Sequence, residues 1–381
     1  MLAYLACLLV TQAPVLQPAR LRTILPNGAA ILVENIPGAK SLSVQLFAAS
    51  RGTEETPISN GLRHLLEHIV AKGPKGDLDR RLETIGGFLT AETSRDAMAF
   101  RLSLPTNRLA EGLQFCEELM HMPSVTPDDI RHEASILEQE GLLRSDSTRF
   151  SSVAWAKAYG DKGLDPFGNL DVIRNATPAM LDAIHKVQFA GPNLVVSVAG
   201  DVDLDVATKA CSDLVGRAPK LNVTPQERPK GEGGQAAIDL PGIAYSVPVP
   251  GFRLPETAAR LAAALALASE ADRCYVLYTP SANPGMITLG RSDDKAGLVR
   301  VLSKADANDL FARGLIMARA WLRRSLDTPE DIAATRGLLI ASAVDLKPDV
   351  LIENLNAMTH RQFAAAIESF RSNEAVVVTG R

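Results

Sequence analysis

The sequence predicts an α+β protein made of two tandem copies of one unit. Three observations indicate this: strands and helices alternate, the signals that open helices recur, and an aperiodic segment separates the halves. The clearest recurrence is Thr-Pro-Asp-Asp at 126–129, which returns as Thr-Pro-Glu-Asp at 328–331. Threonine is a good helix cap, proline fits the first turn, and acids favour the positive end of the helix dipole.

The first half begins with a predicted hairpin, because apolar segments at 21–25 and 31–33 flank the turn residues Pro-Asn-Gly at 26–28. Apolar residues then alternate with polar or small ones over 42–46 and again over 98–104. This period of two predicts half-buried strands in both places.

Each half ends in the same order. The segment 175–177 precedes a helix and then an apolar strand at 195–200, and 356–359 precedes a helix and then a strand at 375–380. Between the halves, residues 218–234 are rich in proline, glycine, lysine and glutamate, which is typical of a linker. We therefore expect one αβ domain at 21–220, a linker at 221–235 and a shorter αβ domain at 236–381.

The composition excludes some functions. Forty basic and forty-four acidic residues give a net charge of −4, so nucleic acid is not an expected partner. The four cysteines are scattered without a C-x-x-C pair, so neither a thiolate metal site nor a thiol nucleophile is expected.

Residues 1–20 are interpreted as a leader or signal peptide. The run 2–10 is apolar and Thr-Gln-Ala at 11–13 resembles a cleavage site, but no basic segment precedes it and the run is too short to span a bilayer. An exported or periplasmic location and a cytoplasmic one both stay open, and no membrane span is expected.

The segment 61–70 carries the chemistry. At about 100° per residue, His64, Glu67 and His68 lie on one side of a helix. The opposite side is apolar and consists of Leu62, Leu65, Leu66 and Ile69. Histidines four residues apart can bind one metal ion, and a glutamate beside them can act as general base. The order H-x-x-E-H is the inverted zinc motif, which predicts His64 and His68 as ligands and Glu67 as base.

A catalytic zinc has a third protein ligand and an open position. The helix after Thr126 offers Glu133, Glu138 and Glu140. Glu133 and Glu140 are seven residues apart and share a face, whereas Glu138 lies roughly 160° away from Glu140. We expect Glu140 to bind the metal and Glu133 to orient a histidine or the site.

These residues resemble the insulinase/pitrilysin family of metallopeptidases, and in particular its short subunits akin to mitochondrial processing peptidase. The resemblance covers roughly residues 20–215. Its motifs are Leu-Pro-Asn-Gly at 25–28, the zinc helix at 60–68, the segment 82–96, the paired glutamates Glu133 and Glu140, and Ala-Gly-Asp-Val-Asp at 199–203.

The resemblance implies one zinc ion per chain, peptide-bond hydrolysis, and two tandem αβ-roll domains of the processing-peptidase-like metallohydrolase type. It also implies that two subunits close into a chamber. An edge strand would bind an extended peptide substrate through backbone pairing. This strand corresponds to Phe88, Leu89, Thr90, Ala91, Glu92 and Thr93.

Two departures from the family matter. Thr90 stands where the family commonly has asparagine. Active members also draw an arginine and a tyrosine from the second half of the assembly, but Arg273, Tyr275 and Tyr278 are wrongly spaced for that role. We therefore expect a partner subunit that supplies them: first a heterodimer with a zinc-less relative, second a homodimer.

Two other functions remain as alternatives. The first is a non-catalytic scaffold or binding subunit of the same fold, although such relatives typically lose the metal residues that this chain retains. The second is an unrelated zinc hydrolase for small substrates, which would require the resemblance to be accidental.

Overall fold

The computed structural model describes residues 19–51, 54–224, 226–293, 295–343 and 349–380. The predicted leader therefore lies almost entirely outside the described residues. Within them, no helix combines the length and apolar character needed to cross a bilayer.

The first half folds into six strands and eight α-helices among the described residues. They are β1 (Ala19–Ile24), β2 (Ala30–Asn35), β3 (Ser41–Ala49), α1 (Leu62–Ala71), α2 (Leu78–Thr84), β4 (Phe88–Thr93), β5 (Ala97–Pro105), α3 (Leu109–Leu119), α4 (Pro127–Leu143), α5 (Asp146–Tyr159), α6 (Leu170–Arg174), α7 (Pro178–Gln188), β6 (Leu194–Gly200) and α8 (Leu204–Val215).

In the second half, the described residues form five strands and six α-helices. They are β7 (Gly234–Ile238), β8 (Ile243–Val249), α9 (Pro255–Ala268), β9 (Cys274–Leu277), β10 (Gly285–Arg291), α10 (Lys295–Lys304), α11 (Ala307–Arg324), α12 (Pro329–Ser342), α13 (Val350–Asn356), α14 (His360–Arg371) and β11 (Val376–Gly380).

The two sheets share one topology. The first has the order β1-β2-β6-β3-β5-β4 and the second β7-β11-β8-β10-β9. Each has a single parallel pair, β2 with β6 and β7 with β11, and its other pairs are antiparallel. The second sheet therefore matches the first strand by strand except for β1. The α+β class with two sheets is confirmed, and β9 occupies the edge that β4 occupies in the first sheet.

The local signals that indicated this fold are present. β1 and β2 form the expected antiparallel hairpin, in which Leu21 pairs with Val33. Thr126 and Thr328 each cap their helix in a reciprocal capping box with the aspartate three residues later. Capping at matched positions places α4 and α12 at corresponding points of the two halves.

One helix of each half packs on the sheet of the other half. α12 packs on β3 and β6 of the first sheet, where Ile340 and Ala341 join a buried cluster with Phe47. In return, α5 packs on β7, β8 and β11 of the second sheet, where Phe150 lies against Val376. The domains proposed at 21–220 and 236–381 therefore each depend on a helix from the other.

Gly337 lets α12 approach the first sheet closely. A Cβ atom added there would meet the ring of Phe47 and would lie 2.8 Å from Cβ of Ser197. Because overpacking of a core typically costs about 1–3 kcal/mol, we expect Gly337→Ala to lower the free energy of unfolding by that amount. Chemical denaturation of the full chain measures the change.

Gly38→Ala is a suitable comparison for Gly337→Ala. Gly38 has a φ of +80° but nothing within 4 Å of the added atom, so it reports only backbone strain. A Gly337→Ala protein as stable as the wild type would show that α12 can move away from the sheet without cost.

Candidate active site

The residue that precedes α1, Gly61, forms an unusual N-terminal cap. Gly61 adopts a left-handed backbone with φ of 104°, and an added Cβ would lie 2.8 Å from Ile173, so this position requires glycine. The carboxylate of Glu55 accepts hydrogen bonds from the backbone N–H groups of Gly61 at 2.7 Å and Arg63 at 3.3 Å. An acid at this end of a helix satisfies free donors and complements the dipole.

The apolar face of α1 packs into the first core, where Leu65 and Leu66 are fully buried. The opposite face carries His64, Glu67 and His68 into a cavity. The segregation of faces that the sequence predicted is thus present, and it fixes the direction of all three polar side chains.

His64 is oriented by a backbone carbonyl. Its Nδ1 lies 2.9 Å from the carbonyl oxygen of Phe167, which can only accept, so Nδ1 carries the proton and Nε2 keeps its lone pair. Burial lowers the pKa of His64 to about 4, against an opposing effect of the Phe167 hydrogen bond. The imidazole is therefore neutral at pH 7, as a metal ligand must be.

His68 is oriented by Glu133. Its Nδ1 lies 3.3 Å from Oε2 of Glu133, whose other oxygen accepts from Nζ of Lys72. Burial acts to lower the pKa of His68, but the Glu133 hydrogen bond and nearby carboxylates outweigh it and raise the pKa. Glu133 itself is only 2% exposed. The structure therefore brings Glu133, the predicted orienting acid, into contact with His68.

Glu140 reaches the two histidines from α4. Its Oε2 lies 3.8 Å from Nε2 of His64, and its Oε1 lies 3.6 Å from Nε2 of His68. One ligand atom from each residue falls within 4.8 Å of the others, and no other such group of His, Cys, Asp or Glu occurs among the described residues.

This donor set fits zinc. Ligand atoms about 2.0–2.1 Å from a tetrahedral zinc lie roughly 3.3 Å apart. The Glu140 oxygens, at 3.8 Å and 3.6 Å from the two Nε2 atoms, are slightly further away than this. Both Nδ1 atoms are engaged elsewhere, which leaves the two Nε2 atoms and one carboxylate to face a single point.

Glu67 stands beside this group and is nearly inaccessible, at 6% exposure. Burial raises the pKa of Glu67 to about 7, against opposing effects of His68 and of Thr93. The hydroxyl of Thr93 donates to Oε2 of Glu67 at 3.1 Å. A carboxylate with a pKa near neutrality is suited to accept a proton and return it.

The cavity around these residues has a volume of about 680 Å³ and is lined by both halves. Val276, Tyr278 and Trp321 are among the second-half residues of this wall. Tyr278 is wrongly spaced from Arg273 for the arginine and tyrosine of the family, yet it contributes to the wall of this cavity.

The predicted substrate strand coincides with β4, which pairs only with β5 among the described strands. Of its residues, Ala91, Glu92 and Thr93 line the cavity, whereas Phe88, Leu89 and Thr90 do not. The structure therefore brings the end of the strand, but not its beginning, to the metal-binding group.

Glu133→Gln is expected to weaken zinc binding. The neutral amide orients His68 less firmly and leaves Lys72 without its carboxylate. Loss of a residue that orients a metal-binding histidine typically costs about 10- to 100-fold in metal affinity. Competition with a chromophoric zinc chelator measures the affinity.

Glu138→Gln provides the matched comparison for Glu133→Gln, since Glu138 lies on the same helix and is paired with Arg174 on the surface. An affinity equal to the wild type in the Glu133 variant would remove Glu133 from the role assigned to it.

Three contributors to the site were not found from the sequence. Lys72 is one turn after His68, so helical spacing could have indicated it. Phe167 acts through its backbone carbonyl, about which the residue type gives no information. Glu55 reaches the helix from a preceding loop, and no local pattern marks that contact.

The structure thus combines an α+β fold with a helix that carries the inverted H-x-x-E-H pattern and a distant glutamate that reaches its two histidines. Residues 30–146, which contain the histidines, Glu67, Glu133 and Glu140, match the family model of insulinase, peptidase family M16. This match confirms, over residues 30–146, the resemblance to the zinc metallopeptidases of the insulinase family.

Curated relatives match about half of the chain. The beta subunit of mitochondrial processing peptidase from Blastocladiella emersonii is 27% identical over 206 residues, 52% of this chain and 44% of that protein. An uncharacterised zinc protease of Mycobacterium leprae is 24% identical over 192 residues, 48% of this chain and 43% of that protein. The match therefore spans less than half the length of these relatives.

Solved structures match over nearly the whole chain. A protease from Helicobacter pylori has a TM-score of 0.82 at 18% identity, covering 95% of this chain and 99% of that one. An M16-like peptidase from Alicyclobacillus acidocaldarius has a TM-score of 0.78 at 16% identity, covering 95% and 98%. At such identities the likeness shows a common fold.

Proposed function

We propose that the protein is a zinc-dependent endopeptidase subunit that hydrolyses peptides or unfolded protein segments. The observation that carries the proposal is the convergence of Nε2 of His64, Nε2 of His68 and the Glu140 carboxylate beside a buried Glu67. The names of the curated relatives, a processing-peptidase subunit and zinc proteases, support the same activity.

His64, His68 and Glu140 would hold one zinc ion. When bound, zinc supplies a Lewis acid that polarises the scissile carbonyl. Glu67 takes a proton from the attacking water and delivers it to the leaving amine, which its pKa of about 7 permits in both directions. Thr93 holds the Glu67 carboxylate through its hydroxyl.

The edge strand β4 would bind the substrate. Its free edge offers backbone N–H and C=O groups to an extended peptide, and Thr93 joins this edge to Glu67. Backbone pairing is tolerant of side chains, so selectivity depends on the cavity walls.

A partner subunit completes the site in this proposal. The chain lacks the arginine and tyrosine in family spacing, so we propose a chamber closed by a zinc-less relative, or by a second copy of the chain. The processing-peptidase subunit among the relatives supports this arrangement.

The test uses the purified full chain, loaded with zinc, on casein and on quenched fluorescent peptides. We expect slow cleavage by the chain alone, faster cleavage after mixing with the zinc-less relative, and loss with a chelator that zinc reverses. Full activity of the chain alone, at a concentration where it is monomeric, would contradict the proposal that a partner subunit completes the site. Bound zinc without cleavage in any mixture would favour the scaffold alternative.

A further inference from the structure

Within the described residues, Arg95 is a cation without an ion-pair partner, and it lies in the wall of the cavity around His64 and Glu67. It follows β4 by two residues and lines the same cavity as His64 and Glu67. Its guanidinium carbon lies 4.1 Å from the centre of the Trp155 ring. Nε and Nη2 are buried and have no hydrogen-bond partner. A buried polar group left unsatisfied costs about 1–3 kcal/mol, and more when it is charged.

The other two arginines of this wall are already paired. Arg144 donates to Asp165 at 2.6 Å, and Arg228 donates to Asp96 at 2.6 Å. Among the arginines that line this cavity in the described chain, Arg95 alone therefore lacks a carboxylate partner. The two aspartates whose charges act on Arg95, Asp165 and Asp96, are paired with Arg144 and Arg228.

The environment of Arg95 disfavours its charge. Burial lowers the pKa of Arg95 to about 9, and the charges of Arg228 and Arg144 act in the same direction, opposed by Asp165 and Asp96. The group is still a cation at pH 7, but one that has lost much of its hydration. A carboxylate placed beside it would recover this lost stabilisation, because charge-assisted hydrogen bonds to guanidinium are strong.

We propose that Arg95 binds a carboxylate of the peptide substrate close to the scissile bond. The inference rests on the proposed function, since it assumes that β4 holds the peptide. Thr93 contacts Glu67, and Arg95 lies two residues further along the chain, in the short bend that joins β4 to β5. A peptide that extends past the end of β4 would bring a side chain or its own terminus to Arg95.

Binding to a variant that cannot turn over separates this inference from catalysis. The full chain with Glu67→Gln is titrated with fluorescent peptides that carry glutamate or glutamine at one position, each with a free or an amidated carboxyl end. Fluorescence anisotropy gives Kd. We expect one acidic peptide to bind about tenfold more tightly than its neutral counterpart, equivalent to 1.4 kcal/mol. If the glutamate peptide binds more tightly than the glutamine peptide, the carboxylate is that of a side chain. If the peptide with a free carboxyl end binds more tightly than the amidated one, the carboxylate is that of the chain terminus.

The double variant Glu67→Gln/Arg95→Gln is expected to lose this preference while it still binds the neutral peptide and retains zinc. Arg95→Lys keeps the charge and should retain part of the preference, which a purely structural role would not explain. Arg217→Gln removes the same charge from a residue that is 75% exposed and paired with Glu117, and should leave the preference intact.

The inference is overturned if no acidic peptide is preferred, or if Arg95→Gln weakens acidic and neutral peptides equally. Failure of the proposed function has a different signature. In that case the wild type does not cleave any peptide, whatever the binding preference of the Glu67→Gln protein.

Discussion

Glu67→Gln is expected to lower kcat for peptide cleavage by about a hundredfold to ten-thousandfold, the typical contribution of a general base. Glutamine has the same shape and can still accept the Thr93 hydrogen bond. It cannot take a proton from water at pH 7. Glu67 is not among the three residues that converge on the metal position, so zinc content should remain at one per chain.

The measurement pairs initial rates on a quenched peptide with metal analysis of the same preparation. Glu138→Gln is the control, because it makes the same chemical change on the solvent-facing side of α4, where Glu138 pairs with Arg174. Turnover retained in the Glu67 variant would take away its role as base, whereas zinc lost together with turnover would make it a metal ligand.

The helix that carries the candidate metal ligands was predictable because its pattern is local. A period of 3.6 places His64, Glu67 and His68 opposite an apolar stripe, and the structure buries that stripe. The same reasoning put Glu133 and Glu140 on one face of α4. The polar face of α1 meets this face of α4 through a tertiary contact between the two helices. Periodicity does not predict that contact, whereas the family resemblance implies it.

The contacts that local patterns could not provide join distant parts of the chain. The carbonyl of Phe167 orients His64 across 103 residues, and any residue type could supply it. The exchange of α5 and α12 between the two sheets depends on which apolar face meets which sheet, and apolar residues alone do not encode a particular partner. For the same reason, the sequence did not predict that Tyr278 lines the cavity.

The unpaired state of Arg95 can be recognised from the structure but not from the sequence. From the sequence, Arg95 belongs to a segment that resembles the family, and nothing distinguishes it from Arg144 or Arg228. Only the pairing of those two with Asp165 and Asp96 makes Arg95 exceptional. An unpaired charge is a property of an arrangement, so it appears only when the neighbours are known.

Glu140→Gln is expected to cause a larger loss of zinc than Glu133→Gln. A neutral amide is a poor substitute for a carboxylate ligand, and two histidines alone leave zinc with too few protein ligands for a catalytic site. The upper end of the loss expected for Glu133→Gln is about 100-fold in zinc affinity. We expect Glu140→Gln to lose more than this, and the cleavage rate to fall with the zinc occupancy. Zinc titration against a chromophoric chelator and peptide rates at saturating zinc measure both.

The order of the two losses tests the assignment of the two glutamates. Glu140 is 45% exposed and faces both Nε2 atoms, whereas Glu133 is buried and contacts the far side of His68 through Nδ1. Saturating zinc should therefore restore activity to Glu133→Gln, whose ligands are intact, but not fully to Glu140→Gln, whose ligand set is incomplete. The reverse order would assign the metal to Glu133 and would remove Glu140 from the role of ligand.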